Sequence, residues 1–420
     1  MEQNQTDKRR VKKKERVFKL LLITFGFILG LLVLEICLRA VDYSYPEFYQ
    51  PDESRGYALI PNMRGWYRKE GESFVSINSD GLRDDEHAPE KPDDVFRIAV
   101  IGDSYSEAPQ VPVENAYWRV MKTRLEACGA FGGRRVETIN FGVSGYSTTQ
   151  ELITLREKVW RYSPDMILLA MTTNNDMTDN LRHFKKTPIP YYVYQNGELV
   201  LDNSFRDDKS FRARNSTLAR TGKWLHNHLR FVQAIHEIQV GLKYRYNAWR
   251  RGETMQNQTS AQTNTNQTQT NVRPAPPGET GIDNQVYRAP PDEFWKEAWR
   301  VTEGVLSLMK TEVENHRARF VVVTLSNGIQ VNPDAATREG FAKGVGADDL
   351  FYPDRRIKSW GDANGVEVIN LAPDLLQYAE RRQVLLHGFG ENLGYGHWNA
   401  EGHRVAGETL AEKLCRSNAP

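Results

Sequence analysis

Cysteine is scarce in this chain: Cys37, Cys128 and Cys415 are the only three among 420 residues. No C-x-x-C pair occurs, so neither a disulfide framework nor a cysteine-type structural zinc site is expected. Excess charge is also missing. Lys and Arg number 55 against 54 Asp and Glu, a net charge of +1 that makes no global electrostatic case for nucleic acid. The mean hydropathy of −0.60 excludes a polytopic membrane protein, though not a single span. What remains is ordinary globular composition, 40 % hydrophobic and 26 % charged, in a length for one large domain or two smaller ones.

One segment looks like a span. Val17 to Leu38 reads VFKLLLITFGFILGLLVLEICL, and Leu20 to Leu34 carry no charge. Twenty-two residues at helical rise cover roughly 33 Å, enough to cross a hydrocarbon core. Lys19 and Glu35 fall near its ends, where a Lys snorkels and a carboxylate reaches the interface. Ahead of it, Lys8 to Arg16 holds seven Lys/Arg and one Glu, which predicts a cytoplasmic N-terminus. Cys37-Leu38-Arg39-Ala40 lacks the small-x-small pattern of a cleavable signal peptide, and Ile36 spoils a lipoprotein site at Cys37. The expectation is a basic cytoplasmic segment at 1–16, a transmembrane anchor at 17–40, and the rest in the periplasm or outside the cell.

Residues 41–95 are Pro- and Tyr-rich at first and carry a turn signal at Asn78-Ser79-Asp80-Gly81, which suggests a stalk with a β-hairpin. Five buried strand runs then follow: Phe96–Ile101, Val136–Phe141, Met166–Met171, Arg319–Leu325 and Val366–Leu371. Helical stretches lie between them, from Ser104 to about Ala127, Thr149 to Arg161 and Asp292 to His316, and Asn399 to Cys415 closes the chain. Alternating strands and helices predict an α/β fold with a parallel, doubly wound sheet. An insertion at about 177–290 interrupts the pattern. Within it, Leu218, Leu225, Leu229, Val232, Ile235, Ile238 and Leu242 recur at helical spacing. Arg206 to Arg251 holds eleven Lys/Arg against three Asp/Glu, which reads as a solvated basic face or as contact with anionic headgroups or an acidic polymer. Gln256 to Asn271 is Gln, Asn, Thr and Ser apart from Ala261, and the tract 252–290 is expected to be a disordered loop.

Four blocks carry the residues suited to chemistry. Ser104 lies in Gly-Asp-Ser-Tyr-Ser-Glu-Ala between a buried strand and a helix, beside helix-start N–H groups that favour a developing negative charge. Such a turn is also an ordinary capping sequence. Asn140-Phe-Gly-Val-Ser-Gly145 ends the second strand, and its glycines permit close backbone approach. Thr172-Thr-Asn-Asn-Asp176 ends the third strand with amide and hydroxyl donors. Gly394-Tyr-Gly-His397 places a histidine in a loop before the last helix.

Taken in order, these blocks resemble the SGNH, or GDSL, hydrolase superfamily, over Phe96 to Cys415 apart from the insertion. The resemblance implies a flavodoxin-like three-layer α/β/α sandwich on a five-stranded parallel sheet. It implies Ser104 as nucleophile, Ser104 N–H, Gly145 N–H and the Asn175 side chain as oxyanion hole, and His397 as base, without cofactor or metal. Two positions depart from the family pattern. Thr173 stands where the third block has Gly, and Gly394 stands where the acid lies three residues before the histidine. A main-chain carbonyl is then expected to orient His397, with Glu391 or Asp374 behind it. The implied activity is ester hydrolysis on an extracytoplasmic glycan or another small ester. The alternatives are an O-acyltransferase, which His-Trp-Asn after the catalytic position also suggests, and a silent glycan-binding or assembly protein.

Other readings are weaker. Gly142-Val-Ser144-Gly145 is one residue short of a Gly-x-Ser-x-Gly elbow, so Ser144 is a poor nucleophile. His226 and His228 are two apart and point to different helix faces, unlike the four-residue spacing of zinc helices. Cys128 and Cys415 either pair outside the cytoplasm or pack as core residues.

Overall fold

The computed structural model describes residues 2–250 and 284–417; the tract Gln256–Asn271 lies outside the described residues. The strands are β1 (Tyr49–Asp52), β2 (Gly56–Leu59), β3 (Arg64–Tyr67), β4 (Ser73–Ser76), β5 (Val95–Gly102), β6 (Arg135–Asn140), β7 (Met166–Thr172), β8 (Tyr191–Gln195), β9 (Glu198–Asp202), β10 (Arg319–Leu325) and β11 (Glu367–Asn370). The helices used below are α1 (Glu2–Ala40), α2 (Ser104–Glu107), α3 (Tyr117–Ala127), α4 (Thr148–Glu157), α5 (Asn175–Asp179), α6 (Lys209–Arg214), α7 (Thr217–His228), α8 (Arg230–Arg250), α9 (Glu293–Asn315), α10 (Ala335–Val345), α11 (Tyr352–Asn364), α12 (Ala372–Arg382) and α13 (Ala400–Ser417). They fall into two compact units, one of residues up to Glu47 together with α7 and α8, the other of Phe48–Ser216 and the chain from residue 284 onward.

In the second unit β5, β6, β7, β10 and β11 form one parallel sheet in the order β6-β5-β7-β10-β11. That is the flavodoxin-like order, with strand order reversing beside β5. Period-two alternation explains both layers. Ile98, Val100, Leu168, Ala170, Val321 and Val323 face one core with Met121 and Leu125 of α3, Leu375 of α12 and Leu410 of α13. Ala99, Ile101, Ile167, Leu169 and Val322 face the other with Leu152 and Leu155 of α4, Trp299 and Val305 of α9 and Ile357 of α11. Strands buried on both faces need near-continuous apolar runs, which is what made them readable. Cys128, just after α3, and Cys415 of α13 form a disulfide, with Cα atoms 6.4 Å apart.

Four segments differ from the sequence reading. The end of the tract expected to be disordered to residue 290 is ordered: Asn284–Tyr287 forms a 3-10 turn, and Val286 and Tyr287 are buried in the second core. The expected single helix from Ser104 is two: Ala108 turns left-handed at φ 52, and Pro109 and Pro112 follow before α3 begins. The insertion contains an antiparallel hairpin, β8–β9, whose turn residues Asn196 and Gly197 both have positive φ, the signature of a tight two-residue turn. Its expected helix is interrupted near Leu229, giving α7 and α8. Finally, from Phe48 onward the expected stalk packs into the second unit. Phe48, Leu59, Val75 and Ile77 share a cluster with Val143 and Tyr146.

In the first unit, Lys13–Ala40 is, among the described residues, the helix long and apolar enough to cross a membrane, with a mean hydropathy of 2.6. His226 and His228 contact the carbonyls of Tyr45 and Trp224.

Candidate active site

Buried β5 runs to Gly102, and Asp103 caps the short α2 by accepting the Tyr105 N–H (3.0 Å). Ser104 is thereby the first helical residue at the carboxyl edge of the sheet, beside the strand-order reversal. Its Oγ lies 2.7 Å from His397 Nε2. On the other side of the ring, His397 Nδ1 lies 2.5 Å from Glu70 Oε2, and the His397 N–H donates to Glu70 Oε1 (2.9 Å). With the carboxylate as acceptor, the proton sits on Nδ1 and leaves Nε2 free to accept the Ser104 hydroxyl. Burial works against ionisation of Glu70, but its hydrogen bonds from the His397 side chain and main chain and its electrostatic interaction with that residue hold its carboxyl below the ordinary value. The His397 and Glu70 side chains are 28 % and 23 % exposed, so the relay is reachable from solvent.

Glu70 corrects the expectation for the histidine's partner. It sits in the turn joining β3 and β4, 327 residues before His397. Glu391 is exposed in a 3-10 turn, and Asp374 on α12 pairs with Lys413 at 2.9 Å. No main-chain carbonyl is the orienter either, since Nδ1 meets the carboxylate. Gly394 has φ +91, a conformation that disfavours any residue with a Cβ, so an Asp at this position would be strained. Nothing in Arg68-Lys-Glu-Gly-Glu72 marks a catalytic acid in sequence; only the folded hairpin brings it to the ring.

A second histidine, also missed from sequence, braces the loop. Buried His387 contacts the Gly396 carbonyl through Nδ1 (2.7 Å) and Ser326 Oγ through Nε2 (3.0 Å), while the Trp398 indole donates to the same Oγ (2.8 Å). The Nδ1–H therefore donates, Nε2 accepts, and the ring is neutral; burial pushes its pKa down to about 4. The Tyr105 hydroxyl also donates to the Gly396 carbonyl (3.2 Å), one residue before His397.

The donors named for an oxyanion hole come from three elements. The Ser104 and Gly145 N–H groups have no protein acceptor among the described residues. Asn175, at the start of α5, gives one amide proton to Asp103 Oδ2 (2.8 Å) and keeps a second. Thr173 lies outside the left-handed region, so the family's glycine is not needed there. Gly145 is needed. Its φ is +75, and a Cβ would stand 2.9 Å from the Tyr57 hydroxyl. That loop is held on both sides: the Ser144 N–H donates to Glu107 Oε2 (2.6 Å), the Tyr57 hydroxyl to the Ser144 carbonyl (2.9 Å) and Lys185 Nζ to the Gly145 carbonyl (2.8 Å). Buried Glu107 also accepts the Tyr49 hydroxyl. Burial raises its pKa, with those bonds opposing. The Ser144 hydroxyl is buried and, among the described residues, makes no hydrogen bond to a histidine that could activate it.

No protein-family model matches the chain, and no curated protein matches it by sequence. Solved structures do match in outline. An acetyl xylan esterase, AlAXEase, is 13 % identical with a TM-score of 0.36, over 77 % of this chain and 100 % of its own. LAE5, an α/β hydrolase enzyme from the metagenome of Lake Arreo, Spain, is 11 % identical at 0.36, over 77 % and 97 %. A variant of the acetyl-xylooligosaccharide esterase Axe2 of Geobacillus stearothermophilus is 9 % identical at 0.36, over 76 % and 94 %.

Proposed function

We propose that this protein is a membrane-anchored serine esterase of the SGNH type that hydrolyses O-acyl esters on extracytoplasmic glycans. The observation that carries the reading is the relay Ser104 Oγ–His397 Nε2 at 2.7 Å and His397 Nδ1–Glu70 at 2.5 Å. As Ser104 Oγ attacks the ester carbonyl, its proton passes to His397 Nε2, and Glu70 stabilises the imidazolium. The oxyanion is met by the N–H groups of Ser104 and Gly145 and the spare amide proton of Asn175. Collapse expels the sugar hydroxyl, which takes the proton from Nε2, and leaves acyl-Ser104. Water then attacks, with His397 as base, and releases the acid.

The basic run before an uncleaved apolar span supports an outward-facing catalytic unit. The Cys128–Cys415 disulfide supports the same side, because such bonds persist in oxidising compartments. An outward-facing site meets acylated surface glycans, and a relay reachable from solvent is compatible with such a substrate. The test is release of p-nitrophenol from p-nitrophenyl acetate by the purified full chain, then of acid from acylated surface polysaccharide. Activity lost in Ser104→Ala supports the reading; a wild-type chain inactive on both refutes it. Acyl appearing on an added glycan, with little free acid, would make the enzyme a transferase instead.

A further inference from the structure

We propose that the outward face of α7 and α8 is a lipid-binding surface lying in the headgroup region of the bilayer that α1 crosses. The proposal rests on the reading of α1 as a span, and three observations carry it. The first is an apolar row where solvent would otherwise be. Ile235, Ile238, Leu242 and Tyr246 follow one another at spacings of three, four and four along α8, which places them on one helix face. All four are exposed, Ile238 at 61 % and Leu242 at 60 %. On α7, Leu218 is 84 % and Trp224 57 % exposed. Single exposed apolar residues are ordinary, but a row along one helix face marks an interaction surface.

The second observation is charge. From Thr217 to Arg250 the chain carries Arg220, Lys223, Arg230, Lys243, Arg245 and Arg250 against the single acid Glu237. Apolar and aromatic residues with flanking cations are the composition of a helix that lies in an interface and favours anionic headgroups.

The third is position. The Phe231 N–H, at the start of α8, donates to Glu35 (3.0 Å), and Arg39 donates to the His228 carbonyl at the end of α7 (2.7 Å). Tyr45 N–H donates to Gln233 (2.8 Å), one turn into α8. Glu35 and Arg39 are the polar residues that close the apolar run of α1, so they mark the level at which the span leaves the hydrocarbon. The junction of α7 and α8 is tied to that level, and the apolar row begins one turn beyond it. An acidic protein would match the cations, but this continuity with the span favours the bilayer.

The test uses the full chain in nanodiscs of phosphatidylcholine and phosphatidylglycerol. In a Cys37→Ser background, Ile238→Cys, Glu237→Cys and Phe25→Cys each carry an NBD fluorophore. Ile238 is expected to be quenched more by shallow than by deep spin-labelled lipid, and to be several-fold less open to iodide than Glu237. Phe25, mid-span on α1, is expected to be quenched most by the deep lipid. If Phe25 behaves so while Ile238 is as open to iodide as Glu237, the lipid surface is refuted and the anchor stands. If Ile238 is shielded from iodide but untouched by either lipid quencher, protein covers the face and the proposal is wrong. If Phe25 is not quenched, α1 does not span, and the proposal falls with that reading.

Discussion

Replacing Glu70 by Gln changes one atom and should disable the relay. Glu70 offers two oxygens to two donors, His397 Nδ1–H at 2.5 Å and the His397 main-chain N–H at 2.9 Å. Gln has one acceptor oxygen, and its other terminal atom is an NH₂ that only donates. If its oxygen keeps the main-chain N–H, its amide faces Nδ1, and the ring proton must move to Nε2. Nε2 then has no lone pair for the Ser104 hydroxyl. If its oxygen keeps Nδ1, two donors confront each other at the backbone and the loop shifts. In both cases the charge that stabilises the imidazolium is gone. A triad acid changed to its amide costs about 10⁴-fold in turnover in a buried site. For a carboxylate that is 23 % exposed, solvent softens the loss, and we expect about 10³–10⁴-fold, or roughly 4–5.5 kcal/mol of barrier. The assay is kcat/KM on p-nitrophenyl acetate, with Glu391→Gln and Asp374→Asn measured alongside. Both controls should stay within a few-fold of wild type. A Glu70→Gln enzyme within tenfold of wild type, or an Asp374→Asn enzyme worse than it, would refute the assignment.

Ser104→Ala and His397→Ala should each remove nearly all ester cleavage, and the double variant should be little worse, as the two act together; additive losses in kcat would speak against the pairing. Asn175→Ala should lower kcat by about a hundredfold or more while Ser104 stays reactive, since one oxyanion donor is lost. Gly145→Ala should lower kcat about as much, because a Cβ at φ +75 meets the Tyr57 hydroxyl at 2.9 Å; full activity there would remove this loop from the oxyanion hole. For His387, a neutral ring with its pKa near 4 leaves the unfolded chain binding the extra proton between 6.5 and 4. Its contribution is thus complete above pH 6.5 and declines as pH falls toward 4, by roughly 3 kcal/mol. Denaturation of wild type and His387→Gln across that range should show the difference between them shrinking on acidification; a constant or growing difference would contradict a buried neutral ring.

The sheet was legible because each of its strands is a short, apolar run that needs no partner information to be recognised. Ser104, Gly145, Asn175 and His397 could be named only through the resemblance of four ordered blocks to the SGNH superfamily, since each block alone is an ordinary turn, cap or loop. The structure brings Ser104 and His397 into contact and sets Asn175 against Asp103. Glu70 was not legible. Its role depends on a hairpin folding onto a loop 327 residues away, and no local pattern encodes that approach. The break after Glu107, by contrast, is written in the sequence, since Pro109 and Pro112 cannot continue a helix; what the residues alone do not show is that Arg83 binds the carbonyls of Glu107, Ala108 and Val111 there. The β8–β9 hairpin is a miss of the same kind. Asn196-Gly197 between alternating apolar residues is a clear turn signal, passed over inside an insertion read chiefly for its helix.

In the proposed mechanism Ser104 forms a covalent acyl intermediate under the control of His397 and Glu70. The most direct test is intact-mass and peptide mapping of the full chain after reaction with an activated fluorophosphonate. One adduct is expected, on Ser104, with labelling slowed strongly by Glu70→Gln and abolished by Ser104→Ala. No adduct on the wild type, labelling that survives Ser104→Ala, or an adduct on Ser144 would contradict the account.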